Sequence, residues 1–332
     1  MNTSKAGEFI LKKIRIPSTE LSVSSIGLGT ASAGLEWKDL AADRVFDEFL
    51  ALGGNLIDTA HVYSDWVKPE TARSERVIGE WLSRRGKRSE VVLMTKGGHP
   101  DITVDLPDMH KSRMAKADME ADLDSSLQKL QTDYIDIYFY HRDDLKQPVE
   151  ALVDLMEGFV KQGKIRYYAC SNWNTARMKT ADEYCGQKGY HGFVANQALL
   201  NIGLRHMCPM GDDTMVSFDK GMAEYHKANP GNLAMPYMGA CGGFFHLYAS
   251  GGAESVASSP YYTEGNLQVA QRVLELAKKY NASITQVLLG FFRVLDFPCC
   301  PLYGPQNLEQ LADALKTDSI PFQKEDYKNM MV

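Results

Sequence analysis

A chain of 332 residues with 44% hydrophobic and 23% charged side chains has the make-up of a folded protein with a sizeable core, and disorder over most of its length is excluded. A net charge of −6 without a long Lys/Arg run argues against nucleic acid or an anionic membrane surface as partner. No apolar run approaches the roughly 20 residues that cross a bilayer, and residues 1–17 lack the continuous apolar stretch of a secretory signal, so a cytoplasmic protein is expected.

After a short hairpin-like start, runs of strand character fall at residues 25–28, 55–58, 91–95, 135–140, 165–170, 193–196, 233–237 and 299–303. Helix-period stripes lie between them. Ile78, Trp81 and Leu82 form one, Leu123, Leu127 and Leu130 a second, and Val149, Leu152, Val153, Met156 and Val160 a third. A later stripe carries Leu267, Ala270, Val273, Leu274 and Ala277, and residues 283–295 form an apolar helix with Ser283 as its N-cap. Eight strands alternating with helices predict right-handed βαβ units and a (β/α)8 barrel, with a doubly wound sheet as the competing fold. No linker or repeat divides the chain, so residues 1–332 are expected to form one domain. Residues 97–113, after the third strand, and 238–265, after the seventh, are long connections of the kind that carry function.

Six cysteines, at 170, 185, 208, 241, 299 and 300, lack CxxC spacing and are expected to be small buried apolar residues, not a disulfide frame or a metal site. Gly27 and Gly29 do not form a dinucleotide-binding fingerprint, because Ser32 stands where a third glycine would be needed.

In a barrel the chemistry sits at the C-terminal strand ends. Those ends present Asp58, Lys96, His141, the pair Ser171 and Asn172, and the pair Asn196 and Gln197, with Tyr63 a few residues beyond Asp58. Any one of these alone is better explained as a structural ion pair or a satisfied polar residue. Several converging on one mouth form an acid–base set, since each is costly to bury without a partner.

The segments GGNLIDTAHVYSD (53–65), VLMTKGG (92–98), DYIDIYFYHRDD (133–144) and GKIRYYACSNW (163–173) resemble, in order and spacing, the signatures of the aldo-keto reductases. The resemblance implies an NAD(P)H-dependent oxidoreductase acting on an aldehyde or ketone, with Tyr63 as general acid supported by Asp58, Lys96 and His141. An ammonium beside a phenol, whose ordinary pKa is about 10, stabilises the phenolate it leaves. By the same resemblance Ser171, Asn172 and Gln197 hold the nicotinamide carboxamide, Tyr237 stacks on its ring, and the turn at Gly29 and Thr30 lies under it. The segment CCPLYGPQNLEQLADAL (299–315) is similar to the family's adenosine-binding stretch, with Gly304, Gln306 and Gln310 facing the cofactor. NADP(H) is implied, but Gln306 stands where a basic residue often pairs the 2′-phosphate and Ala314 replaces the usual Asn, so NAD(H) stays open. The run PYMGACGGFF (236–245) also departs from the family's usual aromatic-Ser-Pro-Leu.

The substrate walls available are Trp66, Arg142 to Asp144, the 238–265 connection, Trp37 and His99, a polar and aromatic set that suits a sugar or polyol carbonyl. No metal is called for. The competing expectation is a nucleotide-binding regulatory subunit of the same fold with little turnover.

Overall fold

The computed structural model describes residues 11–17 and 19–331. Strands β1 (Lys13–Arg15) and β2 (Ser22–Ser24) pair antiparallel, Lys13 opposite Ser24, and form the N-terminal hairpin. Eight parallel strands follow: β3 (Gly27–Gly29), β4 (Leu56–Asp58), β5 (Val92–Gly97), β6 (Ile135–Tyr140), β7 (Ile165–Ser171), β8 (Phe193–Gln197), β9 (Leu233–Ala234) and β10 (Leu302–Tyr303). Each pairs with its chain neighbour and β10 pairs with β3. The ring closes where the Cys300 N–H donates to the Ala234 carbonyl at 2.8 Å and the Leu302 N–H to the Pro236 carbonyl at 2.9 Å. The fold is a (β/α)8 barrel.

The outer layer comprises α1 (Leu40–Ala51), α2 (Arg73–Arg85), α3 (Lys116–Leu130), α4 (Val149–Lys161), α5 (Thr175–Lys188), α6 (Lys220–Ala228), α8 (Glu264–Tyr280) and α9 (Ile284–Arg293). Two shorter helices, α7 (Phe244–Gly251) and α10 (Leu308–Leu315), follow β9 and β10. Helix α4 shows how sequence sets these boundaries. Pro148 precedes its first turn, Leu152, Val153, Met156 and Phe159 form its buried stripe, and Gly163 just beyond takes a φ of +74° that ordinary side chains avoid. Ser283 caps α9 as expected, in a capping box with Gln286.

Inside the barrel the period-2 rule decides everything, because only alternate residues of a strand point inward. Leu56, Val92, Met94, Ile137, Phe139, Ala169, Ala195, Leu233, Cys300 and Leu302 fill the lower layers as one apolar cluster. Ile16, Leu21 and Val23 of the hairpin segment join that cluster and stop its N-terminal end. One step higher on the same inward register come Asp58, Lys96, His141, Ser171 and Gln197. The polar mouth is the top layer of the same stack.

The last two barrel strands are shorter than expected. Pro236, with no N–H to give, ends regular pairing after Ala234, and Tyr237 makes only an isolated bridge to Leu199. The long connection after β9 contains α7 rather than open loop. A third long connection, residues 198–219 after β8, also crosses the mouth. All six cysteines are free, and five are buried; Cys208 departs from expectation by being exposed. Among the described residues no helix is long and apolar enough to cross a membrane.

Candidate active site

The mouth encloses a cavity of about 390 Å³ lined by Asp58, Tyr63, Lys96, His141, Ser171 and Gln197, with Arg142, Asn172 and Tyr237 also on its wall. The ends of β4, β5, β6, β7 and β8 supply most of these groups, and the chain after β4 and β9 supplies Tyr63 and Tyr237.

Lys96 is the centre of the arrangement. Its ammonium, 1% exposed, lies 2.8 and 2.9 Å from the two Asp58 carboxylate oxygens and donates to the Thr59 carbonyl at 2.8 Å and the Tyr63 hydroxyl at 2.9 Å. Three N–H groups therefore meet three acceptors, which is the full capacity of an ammonium and fixes it in place. Asp58 also accepts from Gln197 Nε2 at 2.8 Å, so the buried ion pair has no unmet need on the carboxylate side. The Tyr63 hydroxyl is 3.5 Å from Asp58 Oδ2, a long contact that leaves its proton weakly held.

Burial pushes the Tyr63 phenol well above its ordinary value, the Asp58 carboxylate adds to this, and the Arg142 guanidinium opposes it. Tyr63 is therefore protonated at neutral pH. Burial lowers the Lys96 ammonium, against the pull of Asp58. His141 is held well below its ordinary value, first by burial and then by His99, Arg142 and Lys96, so its ring is neutral. Its Nδ1 is buried without a protein partner. The His141 ring stands edge-on to Tyr63 at 5.8 Å between centroids and packs against His99 at 4.5 Å.

His99, expected on the substrate wall, lies behind His141 and outside the cavity lining, with Nδ1 2.8 Å from the Pro100 carbonyl. Trp66 stands half exposed, also off the lining. Arg142 is on the wall, but its guanidinium is engaged by Thr214 and Asp212. Asn172, at φ +61°, uses its whole amide within the protein. Its Nδ2 donates to the His141 carbonyl and to Ser171 Oγ, each at 3.1 Å, and its Oδ1 accepts from the Val216 N–H at 3.0 Å and the Tyr237 hydroxyl at 2.6 Å. Thr30 lines the cavity while its hydroxyl donates to the Asp58 carbonyl at 2.7 Å.

Gly29 and Gly304 form a narrow floor between the first and last barrel strands. A Cβ on Gly304 would lie 3.3 Å from the Gly29 carbonyl, and one on Gly29 would lie 3.4 Å from the Gly304 nitrogen. Gln306 and Gln310 are not on the lining: Gln310 Oε1 accepts from the Gln306 N–H at 2.8 Å, and Asn307 caps the helix.

Residues that sequence reasoning missed include Met215, Ser32 and Glu36 on the lining, while Met238, the first residue of the expected 238–265 wall, does line it. Met215 sits in the unpredicted 198–219 connection, whose clue was the absence of any helical period between residues 198 and 219. Trp37 is on the lining too, its indole N–H donating to the Pro305 carbonyl at 3.0 Å.

A closed barrel with an ammonium, a carboxylate, a phenol and a neutral imidazole packed at its C-terminal mouth falls among the barrel enzymes that work at that end. The model of the aldo/keto reductase family matches residues 25–331, and the chain belongs to that family. It is thus an oxidoreductase by family. An uncharacterized oxidoreductase of Bacillus subtilis (strain 168) is 28% identical over 311 residues, 92% of this chain and 91% of that protein. An aryl-alcohol dehydrogenase (NADP(+)) of Phanerodontia chrysosporium is 33% identical over 205 residues, 58% of this chain and 51% of its own length. Norsolorinic acid reductase B of Dothistroma septosporum is 26% identical over 321 residues, 89% of this chain and 74% of that protein.

Proposed function

We propose that the mouth interconverts an aryl aldehyde or ketone and its alcohol with NAD(P)(H), Tyr63 acting as general acid in reduction and as base in oxidation. The observation that carries this is the Lys96 ammonium, bonded at once to Asp58 and to the Tyr63 hydroxyl in a buried mouth. Because Lys96 donates into the phenol oxygen, the phenol's own proton is free to go to a carbonyl oxygen in the cavity. As that proton leaves, the phenolate is left 2.9 Å from the ammonium, in a setting dry enough for the attraction to count. Asp58 holds the ammonium at that spot. His141, being neutral, polarises the same carbonyl as a hydrogen-bond donor without adding a charge that would compete with Lys96.

The bound nicotinamide would supply the hydride to the carbonyl carbon. The side-chain-free floor at Gly29 and Gly304 admits a flat dinucleotide close to the backbone, and Tyr237 offers an aromatic face. Gln197, with its Nε2 held by Asp58, presents a carboxamide with its amide oxygen, and Ser171 remains as a hydroxyl partner. Asn172, fully employed, positions Ser171 and Tyr237. Among the described residues the lining carries two cations, Lys96 and Arg142, both paired, and the 299–315 stretch has Gln306 where a basic residue often pairs the 2′-phosphate, so both NADPH and NADH are admitted.

For the substrate, the polar residues that suggested a sugar are used up or displaced, whereas Met215, Met238, Trp37 and Tyr237 supply an apolar and aromatic wall. The similarity to an aryl-alcohol dehydrogenase supports an aryl carbonyl. The test is to mix the purified chain with NADPH or NADH and a panel of aryl aldehydes, sugars and quinones while following nicotinamide absorbance. Loss of absorbance with aryl aldehydes ahead of sugars is expected. Cofactor binding without turnover on any carbonyl would instead support a nucleotide-binding regulatory subunit.

A further inference from the structure

A second cavity, about 330 Å³, lies beside the mouth under the 198–219 connection and the loop after β5. Arg142 and Asn172 line both cavities. They are the dividing wall. The Arg142 guanidinium spans it, with Nε donating to Thr214 Oγ1 at 3.0 Å, Nη2 to Asp212 Oδ2 at 2.9 Å, and Nη1 to the His141 carbonyl at 3.2 Å. On the same wall, Asn172 joins the His141 carbonyl to the Val216 N–H. Arg142 directly follows His141 in the chain, so the second cavity adjoins the mouth next to His141.

The composition of that space is specific. Pro100, Met109, Met114, Leu145 and Val216 form the apolar part of a lining that is otherwise polar, with two methionines whose soft, adaptable side chains suit flat aromatic rings. Ser112 and Thr214 add hydroxyls. Its carboxylates already have partners: Asp143 accepts from Arg177 at 2.8 Å, Asp213 from His110 at 3.0 Å, and Asp144 from Gln147 Nε2 at 3.0 Å. The carboxylates of the cavity therefore make no demand for a cationic ligand, and Lys146 stands at its edge as a donor for a ring oxygen.

We propose that the second cavity is a subsite for the part of the substrate remote from the reacting carbonyl, taking an aromatic ring that bears hydroxyl or alkoxy groups, with Arg142 as the divider. This rests on the carbonyl-reductase reading of the mouth. A two-ring aldehyde fills both spaces and a one-ring aldehyde fills only the first.

The experiment compares steady-state kinetics of benzaldehyde and 4-(benzyloxy)benzaldehyde for the wild-type chain, Met109→Trp and Ser112→Trp. The two variants fill the second cavity from separate points of its wall. Each should raise the KM for the two-ring aldehyde about tenfold, the scale on which a pocket discriminates by bulk, and leave benzaldehyde within about twofold. The subsite is overturned if both substrates move together, if neither moves, or if the wild type reduces benzaldehyde but not the two-ring compound. If the wild type reduces neither aldehyde, the reductase reading itself has failed, a different outcome from the loss of the subsite alone.

Discussion

The two ends of the barrel interior are built from the same strands by the same alternation and hold opposite chemistry. At the lower end Val92, Met94, Ile137 and Phe139 pack as one apolar cluster with the hairpin's Ile16, Leu21 and Val23. At the upper end the next inward positions of β5 and of the chain leaving β6 are Lys96 and His141, which bring a fully bonded ammonium and a neutral imidazole to the cavity lining. The lower end can lose volume without losing chemistry. The upper end can lose chemistry without losing volume.

Lys96→Met should break this contrast most severely. It preserves length and bulk but leaves the Asp58 carboxylate buried with the Gln197 amide and the distant Tyr63 hydroxyl and no cation, a loss expected to cost about 3–5 kcal/mol of stability. Activity should fall together with stability, and urea unfolding alongside kcat reads both. Ile137→Ala, at the lower end, should cost about 2–5 kcal/mol through the void it leaves. In the molecules that stay folded, kcat should hold within about threefold, since nothing in the polar layer has moved. A large kcat loss there would show that the two ends are not separable.

The upper end should also carry the pH dependence. Burial holds His99 down to about 4 and His141 well below its ordinary value. Both stay neutral in the fold at a pH where the unfolded chain binds a proton. The His99 contribution to stability is intact above about 6.5 and falls away as pH drops toward 4, by about 2 kcal/mol at pH 5, and His141 acts in the same direction. His99→Phe should recover about that much of the loss between pH 7 and pH 5, measured by urea unfolding at each pH. An unchanged pH slope would mean that His99 is not held neutral by its surroundings.

The difference between the ends also explains what could be read from the chain. Alternating inward residues and helical stripes are local patterns, so the eight strands and the positions of Asp58, Lys96 and His141 were legible from spacing alone. The mouth's walls are not local. Met215 reaches the cavity through a connection with no period of its own, and Arg142 is drawn into a bridge by Asp212, seventy residues away. Asn172 had donors and acceptors enough for a cofactor in the sequence, but the fold consumes them on Val216, Tyr237, Ser171 and the His141 carbonyl. Trp66 follows Tyr63 by three residues yet stands half exposed and off the cavity lining. The short β9 was overestimated because Pro236 sits inside an otherwise apolar run and ends its pairing.

Single-turnover reduction by Tyr63→Phe, with cofactor affinity measured on the same sample, tests the central claim most directly. The ring and its packing are kept and only the hydroxyl beside Lys96 is removed. If Tyr63 gives the proton, the rate should fall about 10²–10⁴-fold, while the cofactor Kd stays within about threefold. A rate within about twofold of wild type would contradict the assignment, because the proton would then come from another group.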